Sequence, residues 1–203
     1  MANCKLYYFN TRGRAEFTRY IYAFKGVPYE DIRFDDNFKF QDFKPKTPFG
    51  YVPVLEVNGE LYGQSMAIAR YVARELDLVG NTSLEQLKVE MILDSIFEDI
   101  FPLLKDALRG ETEEIKCIAR KKVIEAFYKT FDGLEKLVSG DYFLGSEASV
   151  ADLMVYGFAN EVIPHLGITL EKYSKISKIV ARLGNNENHK NYLQNRPSYP
   201  MSS

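Results

Sequence analysis

The chain has 203 residues, of which 46% are hydrophobic and 27% are charged, as is typical of a globular protein with one large or two small domains. Its 26 Lys and Arg residues nearly balance 28 Asp and Glu residues, and this balance argues against a nucleic-acid-binding protein. Charged residues interrupt every apolar stretch before the roughly 18 residues that a membrane span needs. We therefore expect a cytoplasmic protein with no secretory signal and no membrane partner.

The cysteine and histidine content excludes several kinds of site. The sequence contains two cysteines, Cys4 and Cys117, and two histidines, His165 and His189. They are too few and too widely spaced for a disulfide framework, a CxxC redox motif or a zinc site. No G-x-S-x-G motif, phosphate-binding loop or dinucleotide fingerprint is present either. We therefore expect no metal and no bound cofactor.

The first 76 residues alternate between strand-like and helical patterns. Apolar residues at steps of three and four after position 16 predict a helix that ends at Gly26. Asn58-Gly59 between two strand-like runs is the strongest short signal for a β-hairpin. Strands are predicted at 5–9, 29–33, 52–57 and 60–62, and a further helix from Ser65, which gives the order β-α-β-α-β-β-α and a mixed sheet with the hairpin at its edge.

Beyond a polar linker at 77–83, almost every pattern is helical. Thr82 or Ser83 can cap a helix that runs to about Arg109. This helix has two apolar faces, and the one with Leu84, Leu87 and Met91 is expected to be buried within the bundle or against a partner subunit. Further helices are predicted at 113–139, 150–165, 176–186 and 190–196, the second of them capped by Ser149 with Asp152. The predicted domains are 1–78 and 84–203.

Polar residues at the ends of the N-terminal elements suggest a site for a small anion. Tyr8 lies at the end of the first strand and Arg14 at the start of the next helix, at the sheet edge where ligands bind in open sheets. Gln64-Ser65 begins another helix, whose free N–H groups favour an anion. Pro53 begins its strand and could have a cis peptide bond.

Longer motifs carry a specific resemblance over residues 1–197. They are Tyr8-Phe9-Asn10-x-Arg12-Gly13-Arg14-Ala15-Glu16, Pro48-Phe49-Gly50-x-Val52-Pro53-Val54-Leu55-Glu56, Gln64-Ser65-Met66-Ala67-Ile68-Ala69-Arg70-Tyr71, Gly80-Asn81-Thr82, Ser149-x-x-Asp152 and Arg196-Pro197. With these motifs the chain resembles sigma-class cytosolic glutathione S-transferases, close to the glutathione-dependent prostaglandin D synthases. The resemblance implies a thioredoxin-like N-terminal domain and an all-helical C-terminal domain.

The resemblance also implies roles for individual residues. Tyr8 would donate its hydroxyl to the glutathione sulfur and stabilise the thiolate, and Arg14 would add positive potential beside it. Such help is needed because a thiol with a pKa of about 8.5 is mostly protonated at neutral pH. Val52, before a cis Pro53, would pair its backbone with the cysteinyl part of glutathione.

The other implied contacts are with the two ends of glutathione. Gln64 and Ser65 would bind the γ-glutamyl carboxylate, and Lys44 would reach the glycine carboxylate, helped by Phe40. Tyr51, where the family often has Lys or Gln, would contribute its backbone.

Two further residues depart from the family pattern. Phe40 stands where the family usually has Trp, and because Phe has no N–H to donate we expect somewhat weaker glutathione binding. Glu98 stands where the family usually has Asp, with Asp99 as a substitute. The resemblance implies that Glu98 comes from a second subunit to the γ-glutamyl amine, which agrees with a homodimer.

The leading interpretation is a glutathione S-transferase that conjugates glutathione, its co-substrate, to hydrophobic electrophiles and also reduces hydroperoxides, as in detoxification. Its electrophile site would contain Phe9, Arg14 and the helix at 101–106 with Leu104. Two alternatives stay open, namely a glutathione-dependent prostaglandin-H2 D-isomerase and a non-catalytic ligand carrier or S-crystallin-like protein. A thioredoxin-type reductase is excluded, because the loop after the first strand has no cysteine.

Overall fold

The computed structural model describes residues 3–197. This part of the chain divides into two compact units. One contains the described residues up to Asp77 together with those from Asn186 onward, and the other is Leu78–Asn185. Within the described range, no helix is both long and apolar enough to cross a membrane.

A four-stranded mixed sheet with three helices forms most of the first unit. In chain order its elements are β1 (Cys4–Phe9), α1 (Glu16–Lys25), β2 (Glu30–Phe34), α2 (Phe40–Phe43), β3 (Val54–Val57), β4 (Glu60–Gly63) and α3 (Ser65–Glu75). The strands lie in the order β2-β1-β3-β4, with β1 parallel to β2 and the other two pairs antiparallel. The predicted order β-α-β-α-β-β-α is confirmed.

Apolar side chains of the sheet and of the helices fill the core of this unit. Leu6 of β1 and Leu55 of β3 are partners in the sheet, and both are buried. Ile21 of α1 and Ile68 of α3 are also buried, and the two helices pack against each other. Each such side chain contributes about 1.5–3 kcal/mol when it is buried. This packing fixes the carboxyl end of β1, where Tyr8 lies.

The hairpin between β3 and β4 forms as predicted. Asn58 and Gly59 have φ values of 53° and 87°, and Val57 pairs with Glu60 across the turn. Two positive φ values in succession are typical of the type I′ turn that Asn-Gly favours. The strand before the turn begins at Val54 rather than at residue 52, because the intervening proline has no N–H to donate to the sheet.

The second unit consists of helices, namely α4 (Ser83–Phe97), α5 (Phe101–Arg109), α6 (Glu113–Leu137), α7 (Val150–Glu161) and α8 (Ser174–Gly184). Proline interrupts two of the helices that the sequence predicts. The prediction of one helix as far as Arg109 is wrong at 98–100, because Pro102 lacks an N–H for the carbonyl of Glu98 and its ring crowds that carbonyl. Likewise, a 3-10 turn at Ile163–His165, which contains Pro164, replaces the predicted end of α7.

Helix α4 buries one apolar face and exposes the other. Leu84, Leu87 and Met91 are 78%, 64% and 48% exposed. The bundle therefore does not bury this second face. The opposite face carries the fully buried side chains Val89, Ile92, Leu93 and Ile96.

The last described helix, α9 (Glu187–Asn195), packs on the first unit. The buried ring of His189 is hydrogen-bonded through Nε2 to the carbonyl oxygen of Tyr20 at 3.1 Å. The hydroxyl of Tyr192 donates to Oε1 of Glu16 at 2.8 Å. Burial, then Glu16, raises the pKa of Tyr192, so this hydroxyl stays protonated and able to donate.

Helix α9 belongs to the first compact unit, which takes in the described residues from Asn186 onward. The sequence predicts domains at 1–78 and 84–203, and that division stays a prediction. The amphipathic spacing of a helix predicts that one face is buried but does not say which neighbour covers it.

A buried carboxylate connects the start of α7 to the loop before it. Asp152 accepts hydrogen bonds from the backbone N–H and the hydroxyl of Ser149 at 2.8 and 2.7 Å, and from the backbone N–H of Phe143 at 3.0 Å. Burial raises the pKa of Asp152, and these donors oppose that shift. The sequence predicts an ordinary helix cap, and the bond to Phe143 adds a structural role for the loop.

Replacing this carboxylate should destabilise the protein. Asp152→Ala leaves three donors without their acceptor, and we expect the free energy of unfolding to fall by about 2–4 kcal/mol, measured by urea unfolding. Asp141→Ala is the control, because it removes an exposed carboxylate that is paired with Arg182 and should cost much less. Equal losses in the two variants would contradict this role for Asp152.

Candidate functional site

The hydroxyl of Tyr8 is held at the carboxyl end of β1 by the turn that follows. The backbone N–H of Arg14 donates to Oη of Tyr8 at 3.1 Å. Gly13 has a φ of +46°, and a Cβ at this position would lie 2.5 Å from the same oxygen. The turn therefore needs glycine both for its backbone conformation and for its closeness to the phenol. Because the oxygen accepts from the backbone, its own proton is available to a further acceptor.

One arginine lies near the ring of this phenol, and a second belongs to the turn that follows it. The guanidinium carbon of Arg19 lies 5.9 Å from the centre of the Tyr8 ring, within the range of a cation–π contact. Arg19 is fully buried and is paired with Glu16 and Asp31 at 3.1 and 3.2 Å. Arg14 is exposed within the short 3-10 turn at Gly13–Ala15. The ring is thus contacted from the interior by Arg19, and Arg14 belongs to the turn whose backbone holds the hydroxyl.

Val52 and Pro53 lie just before β3. The peptide bond between them is cis, and both residues are buried. Val52 stands outside the paired region of the sheet, which begins at Val54. The strand-like pairing with a ligand that the resemblance implies for its backbone stays a prediction.

The N-terminus of α3 carries the predicted anion-binding pair. Ser65 is buried as the first residue of the helix, and Gln64 precedes it with a φ of 74°. Nε2 of Gln64 donates to Oη of Tyr51 at 2.6 Å. Free backbone N–H groups at a helix start attract carboxylates. The start of α3, with the amide of Gln64 beside it, is therefore suited to bind a carboxylate.

Lys44 and Phe40 belong to the segment between β2 and β3. Lys44 is exposed, and its Cε would lie 3.8 Å from a Cβ at Gly50, so the lysine side chain lies next to the turn before Tyr51. The ring of Phe40 packs edge-on against Phe9 at 5.1 Å between centroids. Phe40 thus contributes to an aromatic cluster and has no polar group to offer a ligand.

Two predicted site residues belong to the second unit. Glu98 is exposed directly after α4, and Leu104 is buried on α5. The roles implied for them by the resemblance stay predictions. The first unit alone brings together the tyrosine hydroxyl, the cis proline and the start of α3.

Gly13 belongs to one of the sequence motifs but has no role implied by the resemblance, which implies only a backbone role for Tyr51. For Gly13, the available sequence signal is its place in the turn cluster directly after the first strand. No sequence signal connects Tyr51 with Gln64, because the two residues meet only when β3 and β4 pair. In the part of the chain from 3 to 197, no group of three or more His, Cys, Asp or Glu side chains could hold a metal ion.

Comparisons with known proteins agree over both parts of the chain. Residues 4–74 match the family described as "Glutathione S-transferase, N-terminal domain", and residues 85–196 match "Glutathione S-transferase, C-terminal domain". Glutathione S-transferase 3 of Caenorhabditis elegans is 34% identical over 206 residues, which cover 97% of this chain and 98% of the relative. The hematopoietic prostaglandin D synthase of Gallus gallus is 36% identical over 180 residues, or 87% of each chain.

Solved structures show the same likeness in three dimensions. The crystal structure of monomeric Na-GST-3, a glutathione S-transferase of the hookworm Necator americanus, superposes with a TM-score of 0.87 at 28% identity. The match covers 98% of this chain and all of the hookworm protein. The sheet order, the helical second unit and both family matches lead to one conclusion: the chain belongs to the glutathione S-transferase family.

Proposed function

We propose that this protein is a glutathione S-transferase that conjugates glutathione to hydrophobic electrophiles. The observation that carries the proposal is the Tyr8 hydroxyl, which is fixed by the backbone N–H of Arg14 at 3.1 Å. This hydroxyl donates to the bound sulfur and favours the thiolate over the thiol. The thiol proton goes to solvent, the sulfur forms a bond to an electrophilic carbon, and the leaving group departs with the bonding electron pair.

The proposed glutathione site lies in the first unit, apart from one residue. Val52 and Pro53 take the cysteinyl backbone, and Gln64 and Ser65 take the γ-glutamyl carboxylate at the start of α3. The free N–H groups of that helix support this assignment. The remaining assigned residues are Phe40, Lys44 and Tyr51 and, from a partner subunit, Glu98.

The electrophile residues are Phe9, Arg14 and Leu104. Phe9 supports this assignment because it is 41% exposed and its ring contacts that of Tyr8 at 5.6 Å. Hydroperoxide reduction by the same thiolate and a role in detoxification also belong to the proposal. So does a division into two domains, namely 1–78, which binds glutathione, and the helical domain 84–203.

A homodimer of the sigma class in the cytoplasm completes the proposal. The exposed Leu84, Leu87 and Met91 face of α4 supports it, because a patch of large apolar side chains on one helix is costly to leave in water. The similar hookworm structure is described as monomeric, so assembly has to be measured for this chain.

Prostaglandin-H2 D-isomerase is the second candidate activity. It is favoured by the 36% identity to the chicken hematopoietic prostaglandin D synthase. Analysis of the products formed from the endoperoxide with glutathione distinguishes the two activities. Release of the D-type prostaglandin would establish the isomerase, and glutathione adducts alone would establish conjugation.

The first prediction concerns the hydroxyl of Tyr8. Tyr8→Phe removes one hydrogen bond to a charged sulfur, and we expect turnover of an aryl halide to fall about 10- to 100-fold. Glutathione affinity, measured by calorimetry, should change less than about twofold, because ground-state contacts remain. The acid limb of the pH profile should move upward by about one to two units. Unchanged turnover would remove Tyr8 from its role.

The second prediction concerns Gly13. Gly13→Ala pushes a methyl group into the space of the Tyr8 hydroxyl, so we expect turnover to fall about tenfold or more because the donor is misplaced. Gly167→Ala is a matched control, since that glycine also has a positive φ (+66°) but its added Cβ would contact nothing within 4 Å. If both variants lost turnover equally, backbone strain alone would explain the effect.

The third prediction concerns assembly. Light scattering of the wild-type chain should give about twice the 23.4 kDa of one chain. Leu87→Lys places a charge on the exposed face of α4 and should shift the mass to that of a monomer. The control is Lys129→Glu, a charge change at an exposed position of α6, which should leave the mass unchanged. A wild-type mass near 23.4 kDa would overturn the homodimer.

A further inference from the structure

The side chain of Tyr51 makes a contact that its place in the sequence does not suggest. Its hydroxyl oxygen accepts from Nε2 of Gln64 at 2.6 Å. Its ring stacks on that of Phe49, with 5.9 Å between centroids and 21° between planes. Ring packing therefore limits where the hydroxyl can lie, and the hydroxyl joins two segments that are thirteen residues apart.

Gln64 is the residue that gains from this contact. Its backbone is fixed at a φ of 74° directly before α3, but its side chain is exposed and has several rotatable bonds. Binding would have to order such a side chain, and ordering it beforehand lowers the entropy cost of binding. One Nε2 hydrogen is directed to Tyr51, which leaves the second hydrogen for a carboxylate oxygen and Oε1 to accept from an N–H group of the γ-glutamyl moiety.

We propose that Tyr51 is a positioning residue whose hydroxyl orients the carboxamide of Gln64 for the γ-glutamyl group of glutathione. This inference rests on the proposed function. Tyr51 acts through Gln64 and not on the sulfur, so losing its hydroxyl changes the affinity for glutathione and leaves the chemical step intact.

The test uses the full chain with Tyr51→Phe, which keeps the ring and its contact with Phe49. We expect the KM for glutathione and its dissociation constant in calorimetry to rise about 2- to 10-fold, the worth of one hydrogen bond. The value of kcat at saturating glutathione should stay within about twofold. Tyr128→Phe removes the hydroxyl of another exposed tyrosine, on α6, and should change none of these quantities.

A truncated thiol separates positioning from general damage. Cysteinylglycine lacks the γ-glutamyl group, so Tyr51→Phe should not change kcat/KM for this thiol. An equal loss with cysteinylglycine and with glutathione would overturn the proposal, because the substitution would then have disturbed the site as a whole.

A double-mutant cycle tests whether Tyr51 acts through Gln64. In a Gln64→Ala background, Tyr51→Phe should have no further effect on glutathione affinity, because the group that it orients is gone. Independent, additive losses would overturn the proposal.

Failure of this inference differs from failure of the proposed function. A wild-type protein that neither binds glutathione nor turns over an aryl halide would refute the transferase itself. An active wild type whose Tyr51→Phe variant has unchanged glutathione affinity would refute only the role of Tyr51.

Discussion

The candidate site depends on one hydrogen bond, from the backbone N–H of Arg14 to the phenol oxygen of Tyr8. A side-chain donor can rotate away, whereas a backbone donor is fixed by the turn that carries it. That turn exists because Gly13 accepts a positive φ and leaves room for the phenol. The packed sheet in turn fixes β1 and so the ring of Tyr8. A phenol hydroxyl with its own proton to donate is thereby held at the end of β1 by the backbone of the protein.

The start of α3, at the other end of the site, is restrained in a similar way. A helix start offers N–H groups without any side chain, and Gln64 beside it is restrained by its own backbone and by the hydroxyl of Tyr51. Two residues that differ from the family pattern make contacts within the first unit. Phe40 packs against Phe9 in place of offering an indole N–H, and Tyr51 binds a neighbouring amide. The site is thus held by contacts within the first unit.

Features that a few residues define are predictable from the sequence, apart from two helix breaks at proline, whereas features that depend on a neighbouring element are not. Asn58-Gly59 predicts its hairpin because the turn conformation is a property of those two residues. Pro102 and Pro164 were visible in the sequence, but helical periodicity continues across them and hid the breaks. The second face of α4 illustrates the other limit, because apolar spacing says that a face avoids water without saying what covers it.

The sequence alone predicts the order of strands and helices in the first unit, the hairpin, the polar residues proposed for the site and, through long motifs, the family. The folded structure is needed to show that α9 packs on the first unit, that Asp152 reaches Phe143, that Gly13 lies against the Tyr8 hydroxyl and that Tyr51 meets Gln64. These four contacts have the same cause. Each depends on a distance between groups that the chain brings together only when strands pair and helices pack, and residue type and spacing do not encode that distance.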